Sequence, residues 1–217
     1  APLIALLLAL VFHGDSKFLP VSFYFCVTIS AIWIGGVNSV REIAREWELY
    51  EREFRAGLSF TAYVSAKCVV FSLLAFFQAL LFTISLHLFF GSYAFDYKTV
   101  TLTTVTVVSG TMLGLAVSAF SGNVNRAVSL LPIVFIPQIF FSGILFPFDR
   151  MPDLGRIISN ATISRPTFSM FKKMCILGRP AGDLTEWIPL AVLNGLLVLM
   201  ILARMRWHYF FARSRRN

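Results

Sequence analysis

Charge is what this sequence has least of. Asp, Glu, Lys and Arg make up 14% of its 217 residues, against about 25% in an ordinary soluble domain. With a mean hydropathy of +0.75, that deficit argues against a chain that surrounds itself with water. Cysteine is scarce as well: Cys26, Cys68 and Cys175 make neither a metal spacing nor a disulfide framework. The histidines His13, His87 and His208 have no H-E-x-x-H or other ligand-like partner, which leaves no metal site to argue from. No G-x-x-x-x-G-K-[ST] loop occurs, so the chain cannot itself cradle the phosphates of ATP. The apolar runs hold no acids, the usual mark of a proton relay. No nucleophile–base pair, internal repeat or low-complexity stretch is visible.

What is present is apolar: 57% of the residues are hydrophobic and 23 are Phe. Residues 18–40, 68–95, 99–125, 127–148 and 187–203 carry no Asp, Glu, Lys or Arg. At about 1.5 Å per residue, such runs are able to cross about 30 Å of hydrocarbon as helices. The opening, Ala1–Phe12, is apolar but lacks the charged n-region of a signal peptide. It reads as the outer end of a helix that begins upstream, so the chain is expected to be a fragment. The expected fold is therefore an all-α, polytopic transmembrane bundle of six spans in one domain, 1–217. The spans are about 1–12 (partial), 20–38, 67–91, 99–120, 127–147 and 187–204, with a connecting helix at 39–56 and a structured outer loop at 148–186.

The net charge of +8 sits between apolar runs, so it speaks of topology rather than nucleic acid. Arg41, Arg45, Arg52, Arg55, Lys67, Arg126, Arg204, Arg206, Arg213, Arg215 and Arg216 fall on one side, and only Lys17 and Lys98 in the opposite short loops. The basic-rich side, with the C-terminus, is expected to be cytoplasmic, in a plasma membrane of bacterial type. Gly110, Gly114 and Ser118 recur every four residues, a small-residue face for close helix approach, and Gly35-Gly36 permits the same. Pro132 and Pro137 should kink or loosen the fifth span. Gln78, Gln138 and Asn194 are amides deep in spans, and interhelical hydrogen bonds are their expected use.

The most charged stretch is Asn38–Lys67. Val40, Ile43, Ala44, Trp47, Tyr50 and Phe54 form an apolar face at helical spacing. The opposite face holds five Glu (42, 46, 48, 51, 53) against four Arg (41, 45, 52, 55), a net of −1. Glu48–Arg52 and Glu51–Arg55 stand in the favourable i,i+4 order. A helix lying on anionic lipid is usually rich in Lys and Arg, so the mixed face suits another protein surface better.

The run Asn38-Ser-Val-Arg-Glu-Ile-Ala-Arg-Glu-Trp-Glu-Leu-Tyr-Glu-Arg-Glu-Phe-Arg-Ala-Gly-Leu-Ser, then Ala62-Tyr63 and Lys67, resembles the connecting helix of ABC-2-type permeases. Ser118-Ala-Phe-Ser-Gly-Asn-Val-Asn-Arg-Ala-Val-Ser-Leu-Leu-Pro and Phe141-Ser-Gly-Ile-Leu-Phe-Pro agree. The likeness is closest to the G subfamily, the white and multidrug half-transporters, and their bacterial ATP-binding/permease relatives. It implies the permease half of a dimeric, ATP-driven exporter for a hydrophobic or amphipathic substrate, and no enzyme by itself. The implied partners are a second membrane domain and a nucleotide-binding domain, expected upstream on the same polypeptide, that holds ATP and Mg; this chain would hold no cofactor. Coupling falls by resemblance on Arg41, Glu42, Glu46, Arg52, Glu53, Asn123 and Arg126. The substrate cavity falls on Val27, Ser30, Ala31, Ile34, Phe135, Ile136, Ile139 and Phe140, and the gate on Ile144 and Leu145. Aliphatic residues stand where drug exporters have an aromatic clamp, so their substrates do not carry over. A membrane-embedded transferase and a non-transporting scaffold subunit are the competing readings; Asp149, Asp153 and Asp183 are too sparse to serve the first.

Overall fold

A computed structural model describes residues 1–12, 20–91, 97–146, 148–176 and 184–214. His13, Lys17, Pro147, Arg215, Arg216 and residues 177–183 of the outer loop, all used in the reading above, lie outside the described residues. Among those described the fold is all helical: α1 (Pro2–Phe12), α2 (Val21–Ser39), α3 (Glu42–Arg45), α4 (Trp47–Arg55), α5 (Phe60–Phe89), α6 (Tyr97–Ser121), α7 (Val124–Phe140), α8 (Asp153–Asn160), α9 (Ser164–Phe171) and α10 (Leu184–Ser214). Four helical stretches are long and apolar enough to cross a membrane: Val21–Arg45, Phe60–Phe89, Tyr97–Ser121 and Trp187–Trp207. Pro2–Phe12 and Val124–Phe140 are shorter apolar helices beside them. The chain is thus a helical membrane bundle.

The centre of the bundle is α6, which touches α2, α3, α5, α7, α9 and α10. Of its most apolar window 72% is buried, against 17% in Trp187–Trp207. Yet α6 is rich in Thr and Ser, which its central position explains. Thr106, Ser109 and Thr111 donate to the carbonyls of Leu102, Val105 and Val107 at 2.7, 2.8 and 2.9 Å. A small hydroxyl satisfied within its own helix buries little polarity and leaves room for a neighbour.

That neighbour is α2, at backbone distance. A Cβ on Gly110 would fall on the Ile32 carbonyl, one on Gly35 on the Val107 carbonyl, and one on Gly114 on the Gly36 carbonyl and the Ser39 hydroxyl. The four glycines form one interface, Gly35 and Gly36 facing Gly110 and Gly114. Ser39 Oγ lies 2.9 Å from both the Gly35 and Thr111 carbonyls, one on each helix. At the foot of the contact Ser118 Oγ accepts from the Ala44 N–H at 2.9 Å. Ala44 is in the first turn of α3, where backbone donors lack intrahelical partners, so α6 caps the helix that follows α2.

The structure corrects several boundaries. The connecting segment is two helices, not one over 39–56, broken at Glu46 (φ −93°, ψ 9°). The break lets Ile43 and Ala44 bury against α6 while Tyr50 turns to Tyr63 of α5, ring centroids 4.8 Å apart. The third span begins at Phe60 rather than 67, so Lys67 lies well inside the helix. The fifth ends at Phe140 rather than 147, and runs as one helix through Pro132 and Pro137. Phe141–Phe146 is not helical, and Gly143 sits at φ +92°, a conformation that glycine adopts at no steric cost. Residues 148–176 are structured by α8 and α9, and α9 is inserted rather than appended: Thr167, Phe168, Met170 and Phe171 are buried, with α2, α6, α7 and α10 around them.

The α2–α6 contact yields a prediction. Gly110→Ala and Gly35→Ala should each destabilise the purified transporter by about 1–3 kcal/mol, because the obstructing atoms are backbone. Gly195→Ala on α10 meets nothing within 4 Å and should be neutral or stabilising by roughly 0.5–1 kcal/mol. Midpoints of heat-induced loss of the monodisperse peak in detergent would report all three; equal midpoints for Gly110→Ala and Gly195→Ala would refute the close contact.

Candidate functional site

The connecting helices are seated by their apolar face. Val40, Ile43, Ala44 and Tyr50 are buried, and Trp47 and Phe54 are half-buried beside them. Their floor is Val64 of α5, Met112, Leu115, Ala116 and Ala119 of α6, and Ile201 and Met205 of α10. A fully buried side chain of this size stabilises by about 1.5–3 kcal/mol, so the seat outweighs any single surface ion pair. The Arg204 guanidinium lies 5.6 Å from the Trp47 ring. Burial raises the Tyr50 phenol above its ordinary pKa, desolvation being the cause.

Polar contacts then lock the break between α3 and α4. Lys67 Nζ lies 2.6 Å from Glu46 Oε2 and 3.8 Å from Glu42 Oε2. The Tyr63 hydroxyl donates to Glu46 Oε2 at 3.3 Å, and the rings of Tyr63 and Phe71 stand 5.9 and 5.7 Å from Nζ. The Lys67 side chain is only 17% exposed. Its cation is held by two carboxylates and two ring faces, which is what lets a lysine remain in this helix.

The seven residues expected to couple divide accordingly. Glu42 and Glu46 turn toward α5 and are engaged by Lys67. Arg41, Arg52 and Glu53 are exposed. So are Asn123 and Arg126, at the turn between α6 and α7. That turn is built locally: Gly122 takes φ +75°, and Asn123 Oδ1 accepts from the Arg126 N–H at 2.8 Å as the N-cap of α7. Since α3 touches both α6 and α7, the exposed face of the connecting helices and the turn share one end of the bundle.

The expected cavity residues also divide. Val27, Ala31, Ile34 and Phe135 are buried within the chain. They pack against helices of the same chain, so the structure removes them from any open wall. Ser30 and Ile139 are half-buried, and Ile136 and Phe140 are 50% and 49% exposed. The open surface around them adds Trp33, Val37 and Ile133, which the sequence reading missed. Trp33 meets Phe135 edge-on at 4.7 Å, joining the open sides of α2 and α7 into one apolar face.

Ile144 and Leu145 lie past the end of α7, in the bend Phe141–Phe146, not on a helix end as expected. Ile144 packs against the core while Leu145 is 51% exposed. The bend is tied down at its sides. Ser142 Oγ donates to the Ile139 carbonyl at 2.9 Å, and Ser159 of α8 donates to the Phe141 carbonyl at 2.9 Å. Gln138 Oε1 accepts from the N–H groups of Ile163 and Ser164 at 2.9 and 3.1 Å, capping α9. Asn38 Nδ2 donates to Gln78 Oε1 at 2.7 Å, and Asn194 Nδ2 to Ser109 Oγ at 2.7 Å. Gln78, Gln138 and Asn194 thus each join separate elements.

The sequence that builds this bundle matches a known family. Residues 2–174 match the ABC-2 type transporter family. The chain belongs to that family. It is also similar to the ABC transporter ATP-binding/permease protein Rv1747 of Mycobacterium tuberculosis, 30% identical over 142 residues. The match covers 62% of this chain and 16% of the relative, so the chain spans only a small part of that protein. This is the permease domain of an ABC transporter, and as such a multi-pass membrane protein.

In this ABC-2 domain Lys67 and Tyr63 carry more of the connecting-helix geometry than their place at the end of a motif suggested. The signal was available: a lone lysine and a tyrosine four residues apart share a helix face, opposite a glutamate-rich segment that needed a cation. Glu46→Gln and Lys67→Met should each destabilise the domain by about 1–3 kcal/mol, between an exposed and a fully buried pair. The exchanged pair Glu46→Lys with Lys67→Glu should recover part of the loss. A double-mutant cycle on thermal midpoints measures this, and strictly additive effects would dissolve the clamp.

Proposed function

We propose that this domain forms half of a dimeric translocation pathway that exports a hydrophobic or amphipathic substrate across the plasma membrane. The connecting helices and the Asn123–Arg126 turn face an ATP-hydrolysing domain, which binds ATP and Mg. The observation that carries this reading is the division of charge on α3 and α4. Glu42 and Glu46 point inward to Lys67, while Arg41, Arg52 and Glu53 remain exposed beside Arg126 at the same end of the bundle. A mixed-charge face on a rigid base suits recognition of another protein, because electrostatic complementarity fixes register. The name of the Mycobacterium tuberculosis relative, an ATP-binding/permease protein, supports an ATPase fused to the permease. The excess of Arg at this end supports a cytoplasmic location for it and for the C-terminus.

The open face of α2 and α7, with Trp33, Val37, Ile133, Ile136 and Phe140, supports the dimeric pathway. Ser30 and Ile139 lie at its inner edge, with Ile144 and Leu145 beyond the end of α7 as the gate. Apolar walls of this kind seal a pathway against water when two copies meet and part when they separate.

Two measurements test the reading. Charge reversal at Glu53, which is exposed, should lower substrate-stimulated ATP hydrolysis about 5- to 30-fold, the size of a lost rim-to-centre charge pair of about 1–2 kcal/mol. Folding and basal nucleotide binding should be unchanged, and full stimulation in the variant would take Glu53 out of the interface. In a background without native cysteines, Ile136→Cys should cross-link two copies in membranes. Leu73→Cys on the exposed side of α5 should not, and the reverse pattern would put the dimer on a different face.

A further inference from the structure

The bend after α7 is held by a short helix with three unlike sides. Successive residues of α8 are turned by about 100°, so residues four apart share a side. Gly155 and Ser159 are buried and face the protein, and Ser159 is the donor to the Phe141 carbonyl at 2.9 Å. Asp153, Arg156 and Asn160 make a second, polar side. Its two charges engage each other at 3.8 Å, and the Asp153 side chain is 97% exposed. Arg156 also stands 5.8 Å from the Phe148 ring. The third side is apolar and open: Leu154 and Ile157 are 70% and 66% exposed, with Ile158 beside them at 36%.

The depth of α8 follows from the helices before it. α6 and α7 are joined by the short turn at Gly122–Asn123, at the same end of the bundle as the connecting helices, and they have 25 and 17 residues. At about 1.5 Å per residue, α7 ends roughly 12 Å short of the level at which α6 begins. The chain then passes through the bend and α8 into α9, whose Phe168 meets Phe25 in the first turns of α2 at 5.9 Å. α8 thus lies between two segments that are themselves within the length of the bundle, at the end away from the connecting helices.

A helix at that level with one side on protein, one polar and one apolar fits a single kind of place. Protein, water and hydrocarbon meet only along the rim of the bundle, at the surface of the bilayer. The chemistry of the open side points the same way. Leucine and isoleucine offer no hydrogen bond, and no small residue stands among them to admit a second helix closely, as contacts between membrane helices favour. Aromatic, Met and Arg side chains, which are enriched where proteins meet, are absent from it as well. Branched alkyl groups of this kind are suited to acyl chains.

We propose that α8 docks on the bilayer as an interfacial helix, with Leu154, Ile157 and Ile158 in the acyl-chain boundary of the leaflet at this end and Asp153 in water. One Asp and one Arg leave the helix without net charge, so it engages the lipid through its chains and not through headgroup charge. Through Ser159 the same helix ties the start of the bend to the height of that leaflet. The placement does not rest on the transport reading.

The test uses the complete transporter without native cysteines, reconstituted in phosphatidylcholine vesicles. Leu154→Cys, Ile157→Cys and Asp153→Cys are spin-labelled one at a time, and collisions are measured with oxygen, which concentrates in lipid, and with a nickel chelate, which stays in water. Labels at 154 and 157 should favour oxygen and report a depth of about 5–10 Å, while the label at 153 should favour nickel. Phosphatidylglycerol vesicles should give the same depths. Nickel access at 154 and 157 equal to that at 153 would place the helix in water and overturn the proposal. Protection from both reagents, with disulfide cross-linking of Leu154→Cys between copies, would assign the face to a second copy and overturn it too. So would a depth reached only in phosphatidylglycerol, since charge would then be what holds the helix.

Discussion

Four glycines with their backbones in contact set the spacing of this bundle. Lipid tails are as apolar as leucine, so membrane helices gain little from apolar burial alone and associate through close packing and hydrogen bonds. Gly35 and Gly36 against Gly110 and Gly114 bring two backbones to a separation that a single Cβ would prevent. The consequences run outward from there. With α2 held against α6, Ser39 reaches the Thr111 carbonyl and Ser118 reaches the first turn of α3. The direction in which the chain leaves α2 is therefore decided by α6, not by α2 itself. The same proximity buries Val27, Ala31 and Ile34 and turns Trp33 and Val37 to the open side.

The connecting helices inherit this placement and add a second lock. Their apolar residues rest on three helices, and the ion pairs of Lys67 hold the bend at Glu46. Breaking a half-buried pair leaves a charge without its partner, which costs more than the intact pair contributes. A push on α4 therefore has little freedom to be absorbed locally, and passes to α5 through Lys67 and to α6 through Ser118. That is the mechanical property that the coupling proposed for this face requires: a lever is useful only where its base does not bend. The exposed side chains Arg41, Arg52 and Glu53 stand on that base without helping to build it.

Much of this architecture was legible because charge is so sparse. Several interruptions of the apolar runs fell close to helix ends, and the period of Val40, Ile43, Ala44 and Tyr50 gave the buried face of the connecting segment from the sequence alone. Gly110, Gly114 and Ser118 announced a close contact, although not that Gly35 and Gly36 were its other half. Illegible were the features that depend on rotation about a helix axis. Along α2 nearly every residue is apolar, so nothing in its pattern separates Val27 and Ala31, which are buried, from Trp33 and Val37, which are open. The start of α5 was missed for another reason: Lys67 looked like a boundary, while its partners Glu42 and Glu46 lie across a bend that local sequence does not encode. Glu46 likewise looked like a surface acid until Lys67 and Tyr63 were found beside it.

The far end of α7 follows from the cost of unpaired backbone in hydrocarbon. A non-helical stretch at membrane depth persists only where protein or enclosed water satisfies its polar groups. At the start of Phe141–Phe146 the Phe141 N–H donates to the Pro137 carbonyl at 3.0 Å, and Ser159 donates to the Phe141 carbonyl at 2.9 Å. Gly143, with φ +92°, permits the reversal of direction that a residue with a Cβ would resist. The bend is thus pinned at its start by Ser159 of α8 and by its own Ser142, while Leu145 and Phe146 stay exposed. A segment anchored at one end and open at the other can change its contacts without unfolding the helix before it. This is the physical reason to place the proposed gate in the bend rather than within α7, whose prolines are accommodated in a continuous helix.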